Sequence, residues 1–349
     1  MKINYLSDRW SWFGNHSGYD QVIKYIQKNN LDIKIINTKR GFLQQSIGKI
    51  YSLYKKWPQR DQNYAASELK FYYYIKNKLK NTNELFHILY YDAHYFFWEH
   101  WKKAPKNLIG TIHHPPPRKM DKRMKDNLKR LSSAIVLSSC DLDFYEKHIG
   151  KGKVKFIPHG IDIDFFKPKK EFLEEKHLLF VGQNGRNIKM LFRVIIILSK
   201  KYPKLKFDLL VRKQQRQAEG LKQLLNHPAI IWHENLSDKE FLNLYQNSYL
   251  LFMPMESCSA NNAIVESLAC GLPIITTDVG GIRDYGGGSI YSIVRNNDDN
   301  AMIELVEKYL SDEKYHNKIS KKQREFVEKK LAWPIIAKKH IKIYKQLME

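Results

Sequence analysis

Short apolar runs alternate with longer amphipathic segments along the whole chain. "MKINYL", "LDIKIIN", "LFHILYYD", "LIGTIHH", "AIVLSS" and "VKFIPHG" form a first series. "HLLFVGQ", "KFDLLV", "AIIWHE", "LLFMPM" and "LPIITTD" form a second. Strand-like runs separated by helix-forming segments predict parallel α/β sheets. The two series are separated by residues 161–177, "IDIDFFKPKKEFLEEKH", a charged stretch with Pro168 that reads as a linker. The pattern therefore predicts two Rossmann-like doubly wound parallel-sheet domains, residues 1–165 and 166–330. Residues 331–349 form a C-terminal helix that starts near Pro334 and is expected to return to the N-terminal domain. In such an arrangement ligands bind at the carboxyl ends of the strands, in a cleft between the two domains.

The 349 residues exceed one ordinary core, which agrees with two domains. Hydrophobic residues at 43% and charged residues at 27% are ordinary for a soluble globular protein. The net charge of +23 favours an anionic partner, such as nucleic acid, an acidic membrane face or a phosphorylated substrate; a general compositional bias gives the same excess. Cys140, Cys258 and Cys270 show no metal-like spacing, and their odd number speaks against a disulfide framework, so a reducing cytoplasm is expected. The N-terminal stretch is too polar for a signal peptide, and no apolar run is long enough to span a bilayer.

Four constellations follow strands. In "TIHHPPPRKM" a strand delivers His113 and His114 ahead of three prolines that fix the exit path. Histidine there can hydrogen-bond, transfer a proton or bind a metal, or it is simply a polar loop residue; no neighbouring Cys, Asp or Glu cluster completes a metal set. In "FGNHSGYDQVIKYI", Gly14 and Gly18 precede a helix, a loop that lets backbone approach an anion or merely turns. In "FVGQNGRNIKM", Gln183 and Arg186 follow a glycine-ended strand, and Arg186 suits a forked phosphate contact or faces solvent. The last, "ESCSANNAIVESLACGLPIITTDVGG", puts cap-type residues before a helix from 261–263 that ends at Gly271 and Pro273. Glu266 lies one turn into that helix among Ala263, Ile264, Val265, Leu268 and Ala269. A buried unpaired carboxylate costs several kcal/mol, so Glu266 needs partners: two hydroxyls of a sugar, or an internal Lys or Arg.

These residues together resemble the retaining glycosyltransferases of family 4, which have the GT-B fold. The resemblance covers most of the chain and is strongest in its second half, in "VKFIPHGIDIDFFKP" and above all "NNAIVESLACGLPIITTDVGG". It implies that Glu266 is the second glutamate of an E-x7-E motif and binds the donor ribose. It implies that Ser259, Ala260, Asn261, Asn262 and Ala263 offer backbone N–H groups to the diphosphate. It places the family's active-site histidine on His113, and Gly18 in the glycine position of the first-domain loop. Gln183 and Arg186 stand where the family has Arg and Lys, so one cation is kept. The first glutamate of E-x7-E falls on Cys258, which leaves Glu256, Asn261 or nothing to do its work, and Arg212 replaces the usual glycine after the next strand.

What the resemblance implies is transfer of a sugar from a nucleotide diphosphate donor, UDP-linked or GDP-linked, to a glycan or lipid-linked hydroxyl acceptor. The anomeric configuration is retained and neither a metal nor any cofactor beyond the donor is expected, with His113, Arg186 and Glu266 as the catalytic set. Basic stretches at 39–60, with Leu43, Ile47, Ile50, Tyr51 and Tyr54 at helical spacing, and at 118–130, with seven basic residues against two acidic, suit either the inner face of an anionic membrane or a solvated helix surface. Alternatives are a nucleotide-sugar epimerase of the same fold and a basic nucleic-acid-binding protein, although no nucleic-acid-binding signature is present.

Overall fold

The computed structural model describes residues 1–7, 14–36, 83–93, 106–169 and 175–349, and between them residues 46, 47, 49, 50, 53, 54, 70, 71, 73–76 and 78. The chain divides into two compact units. Among the described residues, the first comprises those within 1–11, 19–157 and 336–349, the second those within 12–18 and 158–335.

The first unit is built on a parallel sheet of β1 (Lys2–Leu6), β2 (Asp32–Ile36), β3 (Glu84–Ile88), β4 (Leu108–Ile112), β5 (Ser133–Val136) and β6 (Val154–Phe156), in the order β2-β1-β3-β4-β5-β6. β3 and β4 are buried at every position, as expected of strands covered on both faces. Among its described helices are α1 (Val22–Gln27), α2 (Lys122–Leu128) and α3 (Leu142–Ile149). Strand order reverses between β1 and β3, so the loops leaving these strands diverge at their carboxyl ends.

The second unit repeats the design. Its sheet comprises β7 (His177–Val181), β8 (Lys206–Leu210), β9 (Ile230–His233), β10 (Leu250–Met253), β11 (Ile274–Thr277) and β12 (Ile293–Val294), in the order β12-β11-β10-β7-β8-β9. All its pairings are parallel. The helices are α4 (Ile188–Lys201), α5 (Asp238–Asn247), α6 (Asn262–Cys270), α7 (Asp299–Ser311) and α8 (Glu313–Lys330). Apolar periodicity explains α4, which buries Met190, Leu191, Val194, Ile195 and Leu198 on one face. Strand order reverses between β7 and β10, so the loops after these two strands diverge at their carboxyl ends, where an α/β sheet can take a ligand.

Two boundaries differ from the sequence reading. Residues 161–168 are no free linker: Ile161 bridges to Ala332, Phe166 is fully buried in the second core, and the carbonyls of Ile163 and Phe166 accept from the Arg324 guanidinium of α8. Charge made the segment look exposed, whereas its apolar residues anchor it. Residues 14–18, which sequence order assigns to the first domain, belong to the second unit. The final helix, α9 (Trp333–Met348), begins in the second unit, and residues 336–349 belong to the first. Of the amphipathic stretch 39–60, most lies outside the described residues; Ile47, Ile50, Leu53 and Tyr54 are exposed.

α9 carries a buried polar network into the first unit. Tyr5 donates to the Tyr344 hydroxyl at 3.0 Å, Tyr344 meets His87 Nδ1 at 2.6 Å, and His87 Nε2 meets Thr111 at 2.8 Å. His340 Nδ1–H donates to the Ile336 carbonyl, so its Nε2 accepts from Tyr19 at 2.8 Å. Burial pushes His340 down to about 4 and His87 well below the ordinary imidazole value, so both are neutral in the fold. An unfolded chain gains protons near pH 6.5 that the folded unit refuses until about pH 4 for His340, so stability is full above this window and falls as pH drops through it. We expect His340 alone to cost on the order of 3 kcal/mol at pH 4. Urea unfolding at pH 7 and pH 4.5 should show a clear loss at the lower pH, and His340→Gln should shrink that loss. Equal losses in the two proteins would refute the assignment.

Candidate functional site

The loops after β7 and β10 are zipped together. Arg186 bridges to Met255, and Glu256 N donates to the Gly185 carbonyl at 2.8 Å. A side chain on Gly185 would put its Cβ 2.6 Å from the Ser257 carbonyl oxygen, and one on Gly280 would put it 2.0 Å from that of Cys258. The loop from Glu256 to Asn261 is thus threaded between two glycines that only a missing side chain permits. This threading turns Cys258 inward, where it is 6% exposed and part of the apolar core.

α6 starts where the loop ends. Asn261 Oδ1 caps it by accepting from Ile264 N, and Gly271 closes it in the left-handed conformation. Every residue from Ala263 to Cys270 is buried, because the helix lies between the sheet and α8. The first-turn amides of Asn262 and Ala263 point along the axis at the positive end of the helix dipole.

Arg186 stands beside this end. Its Nε and Nη2 donate to the Val181 carbonyl at 3.1 and 2.9 Å, Nη1 to the Asn184 carbonyl at 2.6 Å, and Nη2 to Asn261 Oδ1 at 3.4 Å. No carboxylate among the described residues forms an ion pair with it. Burial lowers its guanidinium to about 10, against the pull of Cys258, Tyr245 and Glu266, so it stays charged at neutral pH. Neutral oxygens fix its orientation while its charge remains uncompensated by direct pairing.

Glu266 is 2% exposed and holds two hydroxyls. Tyr245, on α5, donates to Oε2 at 2.7 Å, and Ser17 donates to Oε1 at 2.7 Å. Burial pushes its carboxyl above the usual range, and the hydrogen bonds from Tyr245 and Ser17 and the charge of Arg186 pull it back. The two partners are protein hydroxyls, where the sequence reading offered sugar hydroxyls or an internal Lys or Arg. Ser17 belongs to a strap, residues 14–18, fastened elsewhere to the second unit. Asn15 donates from its backbone and side-chain nitrogens to Asp238 at 3.0 and 2.6 Å. His16 pairs with Asp162 at 2.7 Å and stacks on Phe165 with ring centroids 3.7 Å apart.

The structure therefore gathers Gly18, Arg186, Ser259, Ala260, Asn261, Asn262, Ala263 and Glu266 within the second unit or at its edge, with Gln183 half-buried in the loop after β7. Of the candidates for the missing glutamate's work, Glu256 is exposed and Asn261 is committed to capping and to Arg186. Arg212 is exposed. Ser17 and Tyr245 were missed; Tyr245 reads as an apolar-face residue of an amphipathic helix, and nothing in its neighbours marks the hydroxyl.

His113 ends β4 in the first unit. Its Nε2–H donates to the Leu89 carbonyl at 2.6 Å, and its backbone N–H donates to Asp92 at 3.0 Å. The ring stacks on Tyr90 at 4.5 Å and meets Tyr19 edge-on at 4.9 Å. Burial lowers it to about 4, against the attraction of Asp92. A neutral His113 bound in this way presents Nδ1 as an acceptor. Burial opposes ionisation of Asp92, yet His114 and His113 hold its carboxyl down to about 2. Among the described residues no group of three or more His, Cys, Asp or Glu is placed to hold a metal ion, and no helix is long and apolar enough to cross a membrane.

Residues 162–326 match the model of the family Glycosyl transferases group 1. A capsular polysaccharide biosynthesis glycosyltransferase of Staphylococcus aureus, CapM, is 27% identical over 196 residues. That alignment covers 51% of this chain and 50% of CapM, so the chain spans about half the length of the curated relative it matches. Sucrose-phosphate synthase from Thermosynechococcus elongatus superposes with a TM-score of 0.76 at 17% identity, covering 99% of this chain and 98% of that one. An E. coli trehalose-6-phosphate structure bound with UDP-2-fluoro glucose gives 0.72 at 12% identity, with 99% of both chains covered. Two parallel six-stranded sheets with their helices make this the GT-B fold, and residues 162–326 are similar to the family Glycosyl transferases group 1.

Proposed function

We propose that the protein is a glycosyltransferase that moves a sugar from a UDP- or GDP-linked donor to a hydroxyl of a glycan or lipid-linked acceptor, with retention and without a metal. The observation that carries this reading is Glu266: a buried carboxylate satisfied by hydroxyls, one helical turn from a helix N-terminus that faces an unpaired arginine. Ribose hydroxyls suit the carboxylate. A diphosphate suits the first-turn amides of Asn262 and Ala263, flanked by Ser259, Ala260 and Asn261. Arg186 then stabilises the negative charge that grows on the departing diphosphate, the task a metal performs elsewhere.

In the proposed step the bond from the anomeric carbon to the diphosphate oxygen breaks. The acceptor oxygen bonds to that carbon from the same face, and its proton passes to the departing phosphate oxygen. No protein nucleophile is required. His113 accepts a hydrogen bond from a hydroxyl of the transferred sugar through Nδ1, since Nε2–H is committed to Leu89. The CapM similarity supports polysaccharide biosynthesis as the setting. Exposed Ile47, Ile50, Leu53 and Tyr54 beside exposed Lys49 support an anionic membrane face on the cytoplasmic side as the place where a lipid-linked acceptor is met.

Replacing Glu266 with Gln should weaken UDP or GDP binding at least roughly tenfold by calorimetry while the melting temperature stays close to that of the parent. Unchanged affinity for both nucleotides would sink the ribose assignment. NMR of the first product formed from an α-linked donor should show an α linkage; a β product would rule out retention. Addition of EDTA should leave the rate unchanged, and complete loss on chelation would overturn the metal-free reading.

A further inference from the structure

The two oxygens of Glu266 are held by hydroxyls of very different kinds. Tyr245 is 1% exposed and packs among the rings of Phe166 and Phe241, with centroids 6.3 and 5.2 Å away. Its helix, α5, is fixed at its start by a reciprocal capping box between Ser237 and Glu240. The packed ring holds the Tyr245 hydroxyl against Oε2. Ser17 lies on the strap of residues 14–18, outside the helices and strands of the second sheet. The strap is fastened by the backbone and side chain of Asn15 on Asp238 and by His16 on Asp162, contacts that do not involve Ser17 itself. Both hydroxyls donate at 2.7 Å, the length of a charge-assisted bond.

We propose that Tyr245 is a positioning residue for the donor, fixing Oε2 of Glu266 so that Oε1 is presented to a ribose hydroxyl, and that Ser17 is the occupant this hydroxyl replaces. The proposal rests on the donor reading given above. Its physical basis is that a carboxylate in an apolar helix keeps its charge and its orientation only while a donor is bonded to it. Tyr245 supplies a bond that does not leave when ligand arrives. The serine hydroxyl satisfies the other oxygen until a sugar hydroxyl does, which avoids a buried acceptor without a partner in either state.

The ionisable groups facing Glu266 are few. Arg186 comes from the loop after β7, Tyr245 from α5 and Cys270 from the next turn of α6. From α8, Arg324 lies near Cys270 and donates to the Ala269 carbonyl. The ordinary values of these groups lie outside pH 5 to 8, and His16 on the strap, paired with Asp162, and the terminal phosphate of UDP or GDP are kept in E266Q, so the part of an acid limb that E266Q removes belongs to Glu266. Ribose hydroxyls need the ionised carboxylate, so binding is lost as pH falls through the Glu266 transition. Removing the Tyr245 hydrogen bond, which favours the charged form, moves that transition up.

The experiment is calorimetric titration of UDP and GDP into the parent, Y245F, S17A and E266Q from pH 5 to 8.5, with melting temperatures recorded alongside. Y245F should move the acid limb upward by roughly one pH unit and weaken binding roughly 3- to 10-fold at pH 7. A merely structural tyrosine would lower the melting temperature and leave the limb in place. S17A should bind as tightly as the parent or more tightly. An unmoved limb in Y245F, or tenfold weaker binding in S17A, overturns the proposal while a limb abolished by E266Q leaves the donor reading intact. Parent-like binding and pH dependence in E266Q would bring down the donor reading itself and this inference with it.

Discussion

The second unit is organised around one electrostatic problem: a carboxylate placed inside a helix whose other side chains are apolar. Transferring an ionised carboxyl from water to such a site costs several kcal/mol unless hydrogen bonds replace its hydration. Glu266 finds two hydroxyls and, at longer range, one guanidinium. Hydroxyls return part of the lost hydration without cancelling the charge. A direct Lys or Arg partner would have satisfied Glu266 more completely and left it unable to exchange its partner for a ligand. The choice of partners is what separates a site from a structural ion pair.

Much of the surrounding chain serves to hold α6 in place for this purpose. Its start is set by the loop threaded between Gly185 and Gly280 and by the Asn261 cap. Its end is set by Gly271 and by Arg324, which gathers the carbonyls of Ala269, Phe166 and Ile163 onto α8. The segment 161–168 is tied to the same guanidinium, so the entry to the second unit and the end of α6 share a support. Arginine suits this task because its planar fork serves several carbonyls at once without a carboxylate to neutralise it, apart from the surface contact to Glu328.

The fold was legible because buried parallel strands are continuous apolar runs, and runs such as "LIGTI" and "LLFM" are both unmistakable and regularly spaced. The α6 segment was legible for another reason: cap residues, a lone carboxylate, glycine and proline each have a local physical meaning. What stayed hidden depends on long-range packing. Ser17 is 249 positions from Glu266, and no local pattern links them. Tyr245 was indistinguishable from a core aromatic, because its ring does the packing and only its oxygen does the chemistry. The segment 161–168 misled by composition, since Asp164 and Lys167 are exposed while Ile161 and Phe166 enter the core and Asp162 pairs with His16. The fate of Cys258 was also beyond sequence: the motif put it where a glutamate is usual and left open what does that work, and the structure packs its side chain in the core.

Arg186 shows how the same low-dielectric setting treats the opposite charge. Val181, Asn184 and Asn261 supply neutral oxygens to every arm of the guanidinium, so its geometry is fixed before any ligand arrives. Burial costs it some of its affinity for its proton, yet at about 10 it remains a cation at neutral pH. Glu266 lies close enough to feel that charge but does not pair with it, being already held by Tyr245 and Ser17. Had the two met directly, each would have cancelled the other's capacity to attract a ligand. Kept apart by neutral hydrogen-bonding groups, they form a site with a hydroxyl-seeking end and an anion-seeking end, separated by the first turn of one helix. That polarity is the one the proposed nucleoside diphosphate donor needs, with ribose hydroxyls at one end and phosphates at the other.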